Sequence, residues 1–234
     1  LGPSYCMIKQ DLKKKVNYKS KNVLFYFGAG GDFNNYNNLI LQFCKFNRSQ
    51  LSNRNKIPIN VVIGPLAKNY EKLLIMKKKN PSLRLIKNNY NLSSILQNTS
   101  LFFGTSSSII YELNYLGIPS CIFAKTKNQK NSEKNLEDLG IYFHFEFNEI
   151  INNKKLPVFI SVLLKNLTRI RNLTGVKKIA VDKNGNKKIV NAILQKGSAK
   201  RKINYLKKEK KAKYGIYKVS DDMINFYLNC RNLK

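Results

Sequence analysis

Acidic side chains are scarce in this sequence: 13 Asp and Glu stand against 43 Lys and Arg, for a formal net charge of +30. A charge that large raises the question of nucleic acid or anionic lipid as a partner. The lysines are spread along the chain, often beside Asn, and no stretch interleaves Arg with aromatics or matches a nucleic-acid module. A specific nucleic-acid partner is therefore not expected. Histidine is nearly absent, with His144 alone, and Cys6, Cys44, Cys121 and Cys230 are far apart with no CxxC pair. That argues against a structural zinc site, and neither a metal nor a cofactor is expected. No apolar run approaches the length that crosses a bilayer, and no stretch resembles a signal peptide. A cytoplasmic location without membrane insertion is the expectation.

What is present is a 43% hydrophobic chain of 234 residues, enough for one domain with a real core plus an appendage. The most informative stretch is 101–129, LFFGTSSSIIYELNYLGIPSCIFAKTKNQ. It reads as strand, helix, strand. Leu101, Phe102 and Phe103 form a short strand ending at Gly104, and the hydroxyl cluster Thr105, Ser106, Ser107 and Ser108 suits a helix N-terminus. Ile109, Leu113 and Leu116 fall at helical spacing, Gly117 sits where a C′ glycine belongs, and Pro119 blocks continuation. Small residues between a strand's carboxyl end and a helix N-terminus let backbone N–H groups and hydroxyls approach a phosphate. An ordinary capped helix reads the same way.

The surrounding chain repeats this unit. Residues 22–27 (NVLFYF) read as a buried strand, residues 28–32 (GAGGD) as a flexible turn, and Tyr36, Leu39, Ile40 and Phe43 as the apolar face of a helix that the polar run 47–56 ends. Residues 57–63 form a second strand closed by Gly64 and Pro65; 66–79 read as helix, 83–86 as strand and 92–97 as a short helix. Beyond the central unit, 132–139 reads as helix, 141–145 as strand, and 157–173 and 185–195 as closing helices. Alternation at this spacing predicts an α/β fold with a doubly wound parallel sheet, Rossmann-like, whose ligands bind at the carboxyl ends of the strands. The turns at 28–32, 64–65, 104–108 and 125–129 all fall on that edge. The glycines at Gly28, Gly30 and Gly31 do not complete a dinucleotide fingerprint, since Phe33 stands where GxGxxG needs its third Gly, and no P-loop Lys follows.

These residues resemble a known family. Over residues 1–194 the chain is similar to the C-terminal half of the UDP-sugar hydrolases of pseudaminic acid biosynthesis, members of the two-domain, GT-B-type glycosyltransferase superfamily. The resemblance is carried by the opening LGPSYCMIKQDL, by FYFGAGGDFNN and by FFGTSSSIIYELNYLGIPSCIFAKTKNQ. It implies a UDP-binding domain in which Gly28, Gly30, Gly104, Thr105, Ser106, Ser107 and Ser108 bind the nucleotide, the loop after the fourth strand lying near the phosphates. Glu112 would then meet the ribose, and Asn128 and Gln129 would face the sugar. The physical logic fits: a ribose wants a carboxylate, and amide side chains offer donor and acceptor edges to hydroxyl or acetamido groups. The plain alternatives are a solvated helix Glu and a polar turn. Thr105, Ser106 and Ser107 stand where relatives usually carry glycines followed by serine and threonine, and Tyr111 replaces a Trp. The activity implied is release of UDP and free sugar from a UDP-amino sugar. A sugar-transferring enzyme of the same fold and a non-catalytic nucleotide-sugar-binding module are the alternatives. The family's histidine belongs to an N-terminal half not contained in this sequence, so residues 1–21 read as the segment entering from it, the catalytic residue is unknown, and the chain alone is expected to be inactive. His144, within IYFHF, is no substitute.

Residues 22–197 are thus the expected nucleotide-sugar domain, and 198–213 (SAKRKINYLKKEKKAK) a basic linker. Residues 214–234 regain periodicity as a strand and a helix capped by Ser220, with Asp221 and Asp222 in its first turn. Followed by CRN, they resemble the start of a GNAT-type acetyltransferase; a C-terminal docking helix is the alternative.

Overall fold

The computed structural model describes residues 3–13, 22–49, 56–87, 91–127, 129–130, 143–148, 156–175 and 181–194. The chain divides into two compact units, Leu1–Ile189 and Val190–Lys234. In the second, only residues 190–194 are described; the expected basic linker and the tail lie outside the described residues, as does the helix expected over 132–139.

The first unit is built on six parallel strands: β1 (Asn22–Tyr26), β2 (Ile59–Ile63), β3 (Leu83–Lys87), β4 (Thr99–Thr105), β5 (Ser120–Phe123) and β6 (Phe143–His144). Their order in the sheet is β3-β2-β1-β4-β5-β6. The doubly wound parallel sheet read from the sequence is therefore the observed one. The chain runs outward from β1 through β2 to β3, then returns to lay β4 on the other side of β1, so a crevice opens between the carboxyl ends of β1 and β4. Strands β2, β4 and β5 are buried at every position, which is why they read as continuous apolar runs rather than alternating ones.

The helices are α1 (Asn37–Ser49), α2 (Glu71–Lys79), α3 (Ser93–Gln97), α4 (Ile109–Leu116), α5 (Leu156–Lys165), α6 (Leu167–Gly175) and α7 (Gly185–Leu194). One face of the sheet carries Val23, Phe25, Phe103 and Phe123 against α1, α5 and α6. Phe25 stacks on Phe103 and meets Phe43 edge-on, with ring centroids 5.4 Å apart in both cases. The other face carries Leu24, Phe102 and Ile122 against α3, α4 and the segment 3–13, whose Ile8 and Leu12 are 3% and 0% exposed.

Three departures from the sequence reading have identifiable hydrogen-bonding causes. The helix expected from residue 66 begins only at Glu71, because residues 66–68 are spent on the β1 turn: Leu66 N donates to Ala29 O, Lys68 N to Gly31 O and Phe33 N to Lys68 O. Asn69 follows at φ 57°, a conformation that asparagine tolerates, and its side chain donates to Asp32 Oδ1 at 2.9 Å. The turn over 28–32, expected to be flexible, is thus tied along its length. Helix α1 runs past Asn47, which is 1% exposed and gives its side chain to both backbone groups of Ile57 and to Ser82 Oγ. The single helix expected over 157–173 is two, meeting at Asn166, whose side-chain amide donates to Val162 O.

Candidate functional site

At the crevice between β1 and β4 lies a cavity of about 420 Å³. Tyr26, Val62 and Ile63, from the ends of β1 and β2, line it, and the turns after them contribute Gly28, Ala29, Gly64 and Pro65. Leu92 adds an apolar wall beside α3. Ser107, Ser108, Ile109 and Glu112 form the α4 wall, and Lys9 comes from the N-terminal segment. One wall is therefore apolar and the other is polar and charged.

Glycine at two positions makes this shape. Gly28 has φ 89°, which turns the chain out of β1, and no heavy atom lies within 4 Å of a Cβ placed there. A Cβ on Gly64 would strike the carbonyl oxygens of Ala29 and Gly28, so the two turns can close on one another only while residue 64 has no side chain.

The start of α4 resolves an ambiguity left by the sequence. Ser108 occupies the N-cap with φ −56° and ψ −22°, already helical, and no side chain caps the helix. The hydroxyls of Ser107 and Ser108 are not used as caps. They open on the cavity at the start of α4, where Ile110 N and Tyr111 N donate to the carbonyls of Ser107 and Ser108. At the far end Gly117, at φ 70°, closes the helix as expected, with Gly117 N donating to Asn114 O and Ile118 N to Leu113 O.

Glu112 stands one turn into α4. Burial pushes its carboxyl above the ordinary Glu value, with Asp11 adding to the rise and Lys9 opposing it. Tyr26 across the cavity is raised by burial and then by the charge of Glu112.

Of the residues singled out from the sequence, Gly28, Ser107, Ser108 and Glu112 come together in this cavity. The others sit elsewhere. Gly30 faces Leu66, where a Cβ would lie 3.2 Å from the Leu66 Cβ. Gly104 is buried in β4, and a Cβ there would strike Tyr26 O and the Phe102 ring, so its smallness serves the β1–β4 contact. Thr105 and Ser106 are buried at the end of β4, and Ser106 N donates to Phe123 O. Gln129 folds back on its own turn, its Oε1 accepting from Lys125 N at 2.7 Å. That is the polar-turn arrangement, and the turn borders a second crevice of about 370 Å³ between Tyr36, Phe123 and Phe147, flanked by Lys125 and Lys130. Asn128 lies outside the described residues. His144 pairs with Ile122 and does not line either space. Among the described residues no cluster of His, Cys, Asp and Glu could hold a metal ion, and no helix is long and apolar enough to cross a membrane.

Sequence reasoning missed Lys9, Tyr26 and Leu92. Tyr26 read as one more residue of an apolar strand. Lys9 carried no signal at all, being one cation among 43 Lys and Arg.

No family model and no curated protein matches this sequence. Solved structures with similar folds do. MurG from Acinetobacter baumannii matches 78% of this chain at 14% identity, with a TM-score of 0.53 over 52% of its own length. A UDP-N-acetylglucosamine 2-epimerase described as such for Listeria monocytogenes matches 86% at 14% identity, TM-score 0.54, over 48% of its length. The UDP-GlcNAc 2-epimerase from Neisseria meningitidis, solved bound to UDP-GlcNAc, matches 77% at 16% identity, TM-score 0.52, over 46% of its length. This chain spans about half the length of each. Its sheet order, its helix layers and these likenesses agree on a Rossmann-like α/β domain of the GT-B type.

Proposed function

We propose that this chain is the nucleotide-binding half of an enzyme that acts on a UDP-sugar, and that the cavity at the β1–β4 crevice receives the UDP. The observation that carries this reading is the start of α4, where two serine side chains not used as caps line a cavity that also holds a half-buried carboxylate. A diphosphate suits the first group, since helix N-termini favour anions and small hydroxyls donate to them. A ribose suits the second, because its hydroxyls can donate to Glu112. The apolar wall of Val62 and Leu92 suits the flat base. A cavity of about 420 Å³ falls within the ~300–1,000 Å³ usual for ligand sites. The epimerases that share the fold support the same ligand class.

The reaction we propose is hydrolysis of a UDP-amino sugar in nonulosonic (pseudaminic) acid biosynthesis. Water attacks the anomeric carbon, the bond to the diphosphate oxygen breaks, and UDP leaves with the electron pair. This rests on the sequence resemblance; the cavity's part is to hold the leaving group. The wall of Ser107 and Ser108 stabilises the charge that develops on the departing phosphate.

The test of the site is calorimetric titration with UDP and with uracil. Glu112→Ala is expected to weaken UDP by about 1.5–3 kcal/mol, the range for hydrogen bonds to a charged group, and to leave uracil unchanged. Equal UDP affinities in both forms would remove Glu112 from the site. Free sugar produced from a UDP-amino sugar by the whole protein, with no acceptor present, separates hydrolysis from transfer.

A further inference from the structure

The N-terminal segment belongs to no strand-helix unit, yet it delivers a cation to the cavity. Ile8 and Leu12 anchor it in the core, leaving Lys9 between them as a cavity-lining residue. The segment is also held by hydrogen bonds on both sides. The Asp11 carboxylate accepts from Asn91 Nδ2 at 2.9 Å and from Ser93 Oγ at 3.0 Å; Gln97 Nε2 donates to Lys13 O and Lys183 Nζ to Gln10 O. Gly185 packs against the segment so closely that a Cβ there would strike Cys6 O. Residues distant in sequence thus fix the path of the backbone that carries Lys9.

Among the described residues, the wall at the start of α4 otherwise offers only neutral hydroxyl donors, Ser107 and Ser108. A diphosphate brings two to three negative charges, which hydroxyls and a helix dipole offset only in part. The nearby carboxylate of Glu112 makes a compensating cation more necessary.

We infer that Lys9 is the cation that engages the diphosphate, so that the N-terminal segment is a working part of the nucleotide site. This rests on the reading of the cavity as a nucleotide site. The role asks for charge and reach, which Lys and Arg share and Met does not. It also separates the ligand into parts: Lys9 serves the phosphates and not the nucleoside.

The experiment is titration of the full chain, wild type, Lys9→Met and Lys9→Arg, with UDP and with uridine, with thermal unfolding run alongside. Lys9→Met is expected to weaken UDP roughly ten- to hundred-fold, as for the loss of a charge-assisted hydrogen bond, while uridine stays within about twofold. Lys9→Arg is expected to retain UDP binding within about threefold, and the salt dependence of UDP binding should fall in Lys9→Met. If Lys9→Met binds UDP as wild type does, the inference is overturned and the nucleotide reading stands. If wild type binds neither UDP nor uridine, both are overturned. Equal losses of UDP and uridine would make Lys9 a structural residue and also overturn the inference.

Discussion

The two faces of the central sheet are built differently. On the α1 face, aromatic rings run unbroken from Phe25, Phe43 and Phe103 through Phe27 and Tyr36 to Phe123, and three helices close over them. On the α4 face the core is smaller and more aliphatic, part of its cover is an irregular segment rather than a helix, and the site opens at its top. The first face buries most of its apolar surface, leaving, among the described residues, a crevice beside Tyr36, Phe123 and Phe147 at its edge. The second leaves serine hydroxyls and charged groups at the carboxyl edge, lining the cavity. Stability is concentrated on one side and chemistry on the other.

The comparison can be broken most directly in the aromatic face. Phe43→Ala removes a ring that is 0% exposed and contacts Phe25, Phe46 and Phe103. A loss of about 3–5 kcal/mol is expected in urea unfolding, with UDP affinity of the folded protein unchanged. A folded variant that no longer binds UDP would end the separation of roles.

Leu12→Ala is the matching test on the other face. Its side chain is 0% exposed, and a loss of about 2–5 kcal/mol is expected. Here binding should fall as well, because the segment that Leu12 anchors also positions Lys9. Titration of the folded variant should show UDP weakened and uridine nearly kept. Equal retention of UDP would mean that the segment's seat does not matter to the site.

The smallest effect expected is a pH dependence. Burial raises Glu112 above its ordinary value of 4.5, so the folded protein holds that proton to higher pH than the unfolded chain does. The cost to stability of ionised Glu112 is absent below 4.5, grows as pH rises and is complete above the folded value. On the proposed reading, ribose hydroxyls donate to the ionised form. Uridine, which has no phosphate to titrate, should therefore bind less well as pH falls through a window above the usual Glu range, by less than about tenfold. Among the described residues, Lys9, Asp11 and Tyr26 are the charged or titratable groups around Glu112, and Glu112→Gln should flatten the profile. A profile unchanged by that substitution would show that Glu112 is not its source.

Much of this molecule was legible in the sequence because local rules and tertiary packing agree there. The buried strands around Phe25 and Phe103, the glycine that ends α4 at Gly117, and the order of strands and helices follow from apolar runs, positive φ and alternation. The placement of candidate residues at the carboxyl edge followed from topology once a parallel sheet was read. Resolution within the hydroxyl cluster did not, since periodicity cannot tell Ser106, turned into the core, from Ser107 and Ser108, which line the cavity.

What only the tertiary structure decided was how distant pieces use one another's backbone groups. Residues 66–68 would sit comfortably in a helix, yet they pair with the β1 turn because that turn presents its own donors and acceptors to them. Asn47 looks like a helix terminator, but it is buried because its side chain pairs with both the N–H and the carbonyl of Ile57. Lys9 is a single lysine in a lysine-rich chain until Ile8, Leu12 and the Asp11 contacts set its place beside the start of α4. Local sequence fixes periodicity, caps and turns, because those depend on neighbours within a few residues. It does not carry the long-range hydrogen bonds and the packing of a segment against helices more than eighty residues away, and those are what assembled this site.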